Sequence, residues 1–159
     1  MAQQLWLLRH GEAEPHDARP DAERRLTDRG REQARVAGCA LAALKVHVHV
    51  AFTSAKVRAR DTAMPACEAL GVEPIDHAAL FAGFDVSDAR ELLGAAGPDR
   101  RVLVVGHEPD FSQVVYDLTG ARIDFKKGGI AAVRLVGTLG ELIVLMRPRE
   151  LTRICASAS

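Results

Sequence analysis

The stretch Leu5-Trp6-Leu7-Leu8-Arg9-His10-Gly11-Glu12 limits what this chain can become more than any other. Four apolar residues run directly into an arginine, a histidine and a glycine, the pattern of a short buried strand that delivers polar side chains at its carboxyl end. The same physical form returns at Arg101-Val102-Leu103-Val104-Val105-Gly106-His107-Glu108-Pro109. A continuous apolar run is what a strand covered on both faces requires, so both stretches read as strands inside a covered sheet, each ending in a histidine.

Around them the pattern alternates. Glu12 to Arg25 is polar, holds Pro15 and Pro20 and has no period, so it reads as a loop passing over the strand end. Thr27 is placed to cap a helix whose apolar stripe is Val36, Cys39, Ala40, Ala43 and Leu44. Val46 to Thr53 alternates as a second strand, and Thr53-Ser54 then leads into a helix from Ala55 to Leu70, where Pro65 predicts a kink or a restart. Glu73 to Asp76 is a short third strand, and Asp85 or Ser87 caps a helix that ends at Gly97-Pro98. Pro109 suits the first turn of the next helix, which closes at Gly120. Ile130 to Val136 and Glu141 to Met146 read as a hairpin, and the absence of a period from Arg147 onward predicts a frayed end.

Strands that alternate with helices call for right-handed parallel crossovers and helices on both faces. The expected fold is α/β, a three-layer α/β/α arrangement with a mostly parallel sheet, in one compact domain, since 159 residues are too few for two comfortable ones. Lys+Arg and Asp+Glu are equal at 21 each, so no field of one sign draws the chain to nucleic acid or to an anionic membrane face. No apolar run approaches a membrane span and the amino terminus lacks the features of a signal peptide, which predicts a cytoplasmic protein. Cys39, Cys67 and Cys155 are odd in number and widely spaced, so neither a disulfide framework nor a thiolate metal site is expected. Cys39 and Cys67 read instead as small buried apolar residues. His47 and His49 share one strand face without a third ligand near them in sequence, which favours a polar face over a metal site.

In such folds ligands bind beyond the carboxyl ends of the strands. His10, His107 and Arg58, in the first turn of a helix after a strand, converge there from three segments. Two histidines and two arginines, Arg9 and Arg58, suit a phosphoryl group, because the guanidinium fork matches phosphate oxygens. A histidine among arginines has its pKa pushed down and stays neutral and nucleophilic near pH 7, which points to transfer through a phosphohistidine. Arg60 reads as solvated or paired with an acid. Arg24-Arg25, Arg29-x-Arg31 and Lys126-Lys127 read as solvated charge or, if they ring the site, as a landing place for an acidic or phosphorylated protein.

Arg9-His10-Gly11, Ser54-x-x-x-Arg58-Ala59-x-x-Thr62 and Val105-Gly106-His107-Glu108-Pro109 resemble, in that order, the motifs of the histidine phosphatase superfamily, also called phosphoglycerate-mutase-like. The short length, the Leu26-Thr27-x-x-Gly30 helix start and Lys127-Gly128-Gly129-Ile130-Ala131 are similar to the SixA-type phosphohistidine phosphatases. The resemblance spans roughly residues 5–135 and implies a phosphoglycerate-mutase-like fold; the expected histidine phosphatase domain is 1–147, followed by a tail at 148–159. It implies that His10 attacks phosphorus, that Arg9, Arg58 and His107 hold the oxygens, and that Gly11 and His16 lie at the phosphate. Neither a metal nor an organic cofactor is implied.

The sequence departs from the family pattern in two places. Many relatives carry a proton-donating glutamate in the region that here reads Ala78 to Asp85, which has none; Glu12, Asp85 and Glu108 are the candidate donors that remain. His16 stands where many relatives have a phosphate-binding asparagine, and reads either as a phosphate donor or as a loop histidine. A phosphoramidate has a nitrogen leaving group able to carry its own proton, so the missing glutamate favours phosphohistidine over a sugar phosphate. The expected function is removal of phosphate from phosphohistidine in a protein such as a histidine phosphotransfer domain. The alternatives are a phosphatase of a small phosphorylated metabolite, or a catalytically weak phosphate- or protein-binding module.

Overall fold

Leu5 and Leu7 leave the first strand on one side, Trp6 and Leu8 on the other, and all four are buried, so the sheet must be covered twice. The computed structural model describes residues 2–158. Its strands are β1 (Gln3–Arg9), β2 (Val50–Thr53), β3 (Pro74–Asp76), β4 (Arg101–Gly106), β5 (Ile130–Val136) and β6 (Leu139–Met146), side by side in the order β3-β2-β4-β1-β5-β6. The pairs β3·β2, β2·β4 and β4·β1 are parallel, while β1·β5 and β5·β6 are antiparallel. This is the mostly parallel α/β sheet that the sequence predicts.

Trp6 and Leu8 pack with α1 (Asp28–Ala43), α2 (Val57–Leu70) and α5 (Pro148–Ser157), through Ala37, Ala63 and Leu151 among others. Leu5 and Leu7 pack with α3 (Val86–Ala96) and α4 (Asp110–Thr119), through Leu92 and Phe111. Local signals hold at several ends. Thr27 Oγ1 accepts from Gly30 N at 3.1 Å, Asp85 forms a capping box with Asp88, and Gly71 and Gly120 close α2 and α4 with φ of 71° and 79°.

Elsewhere the structure corrects the reading. Val36 and Ala40 of the expected α1 stripe are buried, but Ala43 and Leu44 are exposed, and the buried face runs instead through Ala34, Ala37, Gly38 and Leu41. The small residues win because they let α2 approach: a Cβ on Gly38 would meet Ala66 Cα at 2.7 Å. Helix α2 runs through Pro65 without interruption, and β2 begins only at Val50.

The expected frayed end is the helix α5, with Pro148 in its first turn and Leu151 fully buried. Its stripe of Leu151, Ile154 and Cys155 is too short to stand out as a period. Ser159, the last residue of the expected tail, and Met1 lie outside the described residues. Cys39 and Cys155 form a disulfide across the α1–α5 contact, with Cα atoms 5.3 Å apart and a sequence separation of 116. This overturns the expectation of unbonded cysteines, and only the docking of α5 on α1 reveals it. Cys67 is free and buried, and burial pushes its thiol up to about 12. Among the described residues no helix is long and apolar enough to cross a membrane.

Candidate active site

Strand register assembles the site. Arg9 stands opposite Gly106 and Thr53 opposite Val105, so His10, His107 and Ser54 each occupy the first position past a carboxyl end of adjoining parallel strands. Two further bonds continue the ladder: His10 N donates to Gly106 O at 3.0 Å and Ser54 N to Val105 O at 3.0 Å. The His10 and His107 rings lie 5.3 Å apart by centroid, each residue 7% exposed.

His10 Nδ1 is 2.7 Å from Gly11 O. A carbonyl only accepts, so the ring hydrogen sits on Nδ1, and Nε2 is left with its lone pair. Burial, with Arg58, Arg9 and Lys127 nearby, pushes His10 down to about 4, which keeps the ring neutral at pH 7. Burial, His10, Arg58 and Lys56 push His107 down to about 3. Its Nε2 meets Ser54 Oγ at 2.8 Å, and that oxygen already accepts from Lys56 N at 3.2 Å. A hydroxyl proton directed at Nε2 leaves the His107 ring hydrogen on Nδ1, the ring nitrogen that has no partner in the protein.

Both arginines are fixed from behind. Arg9 Nη1 donates to Phe125 O at 2.6 Å, and Arg58 Nη1 donates to Asp21 O at 2.7 Å. Asp21 is a hub: its carboxylate also receives Arg58 Nη2 at 3.3 Å, Lys56 Nζ at 3.0 Å and Arg24 Nη2 at 3.0 Å. The Lys56 hydrogen bond, with Arg24 and Arg58, holds the Asp21 carboxyl far below the usual range. Arg24, read from sequence as solvated charge, is therefore buried beside it.

Arg9 Nε, Arg58 Nε and His107 Nδ1 are buried polar atoms without a partner in the protein. Buried polar groups are nearly always paired, so three unpaired nitrogens, on Arg9 at the end of β1, His107 after β4 and Arg58 in the first turn of α2, have the capacity to hold an anion. Such a set can take a tetrahedral oxyanion and present its central atom to His10.

The glycine after His10 belongs to the scaffold. Gly11 N donates to Thr62 Oγ1 at 3.0 Å, which in turn donates to Arg58 O at 2.7 Å, tying the loop after His10 to α2. A Cβ on Gly11 would meet Gly30 O at 2.5 Å, and a Cβ on Gly30 would collide with Glu12 O. Gly128 N donates to Arg9 O and His10 O, at 3.1 and 3.0 Å, which pins the 126–129 turn to the same loop.

The remaining expected residues stand differently. His16 is exposed in the loop, and among the described residues no hydrogen bond or ion pair ties it to Arg9, Arg58 or His107. Glu12 accepts from Thr27 Oγ1 at 2.8 Å and faces Arg29 at 3.7 Å. Asp85 is taken up as the cap of α3, and Glu108 accepts from Ser112 N at 2.7 Å at the start of α4. All three carboxylates are occupied by helix-end donors. Arg60 pairs with Asp76. Ser54, Lys56 and Asp21 were not among the expected site residues. Ser54 begins a recognised motif, but nothing in a loop without a period singles out Asp21.

A family model described as histidine phosphatase superfamily (branch 1) matches residues 5–81. An uncharacterised protein of Picosynechococcus sp. strain PCC 7002 is 31% identical over 169 residues, covering 93% of this chain and 98% of its own. The structure of the protein histidine phosphatase SixA complexed with tungstate superposes with a TM-score of 0.84 at 28% identity, over 93% of this chain and 99% of that one. A proposed alpha-ribazole-5'-P phosphatase of Escherichia coli shares the fold with a TM-score of 0.78 at 20% identity, over 93% and 98% of the two chains.

Proposed function

The chain belongs to the histidine phosphatase superfamily, and on that basis we propose that it removes phosphate from phosphohistidine in a protein, without a metal, through a phosphorylated His10. The observation that carries this reading is the neutral, oriented imidazole of His10 beside three unpaired buried nitrogens. His10 Nε2 attacks phosphorus in line with the leaving imidazole. The new N–P bond forms as the substrate N–P bond breaks, and the electron pair stays on the substrate nitrogen, whose ring already holds a proton. Arg9, Arg58 and His107 Nδ1 take the charge that develops on the equatorial oxygens. Water then attacks phosphorus: its O–P bond forms as the His10 Nε2–P bond breaks, the electron pair returns to Nε2, and the water protons leave with the phosphate as dihydrogen phosphate.

Glu12, Asp85 and Glu108 each accept from a hydroxyl or backbone donor at the start of a helix, and this engagement elsewhere supports a substrate whose leaving group needs no carboxylic acid. A metabolite phosphatase would need a donor for an alkoxide leaving group. The test is turnover of a phosphohistidine peptide, a sugar phosphate and p-nitrophenyl phosphate by wild type and His10→Ala, with EDTA present, and acid-labile labelling of the protein. Expected is fast turnover of the peptide, labelling at His10 and loss of both in the variant. Equal activity of the variant would remove the enzyme reading, and preference for the sugar phosphate would move the substrate to the metabolites.

A further inference from the structure

A groove of about 440 Å³ opens beside Arg9, walled by Arg29 of α1, by Lys126 and Lys127 of the turn pinned to His10, and by Arg147 and Arg149 at the start of α5. Glu12 is the one carboxylate in the lining. Opposite charges balance over the whole chain, so six cations around one groove are a strong local departure from it. The groove adjoins the reaction centre, since Arg9 belongs to both and Lys127 is close enough to depress His10.

The cations have the character of a surface that receives a chain of charges, as opposed to a closed cup for one metabolite. The side chains of Arg29, Lys126, Arg147 and Arg149 are 75%, 55%, 47% and 73% exposed, with long, solvated stems on three separate segments. Their acidic partners are exposed or shared: Lys126 meets Asp124, and Arg147 and Arg149 divide the single carboxylate of Glu150. Lys127 makes no ion pair among the described residues. Exposed pairs of this kind are weak, so carboxylates of an incoming chain can exchange for them at little cost.

We propose that this groove binds an acidic segment of a polypeptide flanking the phosphorylated residue, and that the C-terminal helix thereby selects the substrate. This rests on the phosphohistidine reading above and adds which protein context is chosen. Acidic side chains beside the phosphohistidine raise encounter rate and hold the segment across Lys126, Arg149 and Arg29, with the phosphoryl group at His10.

The experiment compares kcat/KM for two phosphohistidine peptides, one flanked by four glutamates and one by four glutamines, at low and high salt. Wild type is expected to favour the acidic peptide by about tenfold or more at low salt and to lose that preference near 0.5 M salt, where the Debye length falls to about 4 Å. Lys126→Glu/Arg149→Glu is expected to remove the preference while p-nitrophenyl phosphate turnover stays within about twofold. Arg29→Glu, on a different wall and a different helix, gives the same answer if the double variant folds poorly. Equal use of both peptides by wild type overturns the proposal, as does a variant that slows both peptides alike. If neither peptide nor p-nitrophenyl phosphate is turned over, the function reading fails. Fluorescence anisotropy of the unphosphorylated peptides then decides the groove separately, where equal affinity for both sinks it.

Discussion

Two pairs of histidines face each other in this fold, one at each edge of the sheet. His10 and His107 stand past the carboxyl ends of β1 and β4, with rings 5.3 Å apart; His47 and His49 stand before β2, with rings 4.7 Å apart. Closeness of the rings therefore does not make a site. The first pair is buried with two arginines and its tautomer is set by a carbonyl. In the second, His47 is exposed, and His49 Nδ1 accepts from Arg101 N at 3.0 Å, a backbone service at the start of β4. No third His, Cys, Asp or Glu completes a metal-binding group there among the described residues. Chain direction decides the rest: parallel strands send their following loops to one edge only, and reactive groups gather on it.

The sharpest way to separate the two pairs is truncation. His10→Ala is expected to lower kcat on a phosphohistidine peptide by about 10³-fold or more, while His47→Ala stays within about twofold. If His47→Ala matched it, the assignment of roles to the two edges would be wrong. Arg58→Lys comes next, at about 10²-fold in kcat, because a lysine cannot reproduce a fork anchored on Asp21; steady-state kinetics measures it, with far-UV circular dichroism as the check on folding.

The third test is titration. His10 and His107 are expected to protonate near pH 4 and pH 3, followed through their Cε1–H proton resonances. Their folded pKa values lie below the unfolded value of about 6.5, so the unfolded chain binds more protons between these limits. Stability should thus be fully present above about pH 6.5 and fall by a few kcal/mol as pH drops toward 3, as read by chemical denaturation at several pH values. His10→Ala should flatten part of that slope; an unchanged slope would mean that the pair is hydrated. The smallest effect is expected at Ser54→Ala, about tenfold in kcat, since it unpairs His107 Nε2 without removing a group that touches phosphorus. Ser54→Thr keeps the hydroxyl and should recover most of it.

These differences also explain what could be seen beforehand. The gathering of His10 and His107 at one end of the sheet was legible because an apolar run ending in Arg-His-Gly has one buried direction and one open end, and the run repeats at Val102 to His107. Arg58 followed from its place one turn after a strand. Asp21 was not legible, because its importance arises from three cations that meet it from residues 24, 56 and 58 only after the loop folds over the edge. The α1 stripe was legible at Val36 and Ala40 but not at its end, because the burial of Gly38 depends on the close approach of Ala66 in α2, which no period in α1 reports. Helix α5 and the Cys39–Cys155 bond are long-range facts, invisible to any window of a dozen residues.

The back-to-back contact of Gly11 and Gly30 has a meaning for how this protein can evolve. Each glycine's missing side chain is space filled by the other segment's main chain, Gly30 O on one side and Glu12 O on the other. A clash between two side chains can be repaired by shrinking the partner, but a clash with a carbonyl has no such remedy. The two positions therefore behave as a single locus. Under random mutagenesis with selection for turnover, neither glycine should yield a suppressor at the other.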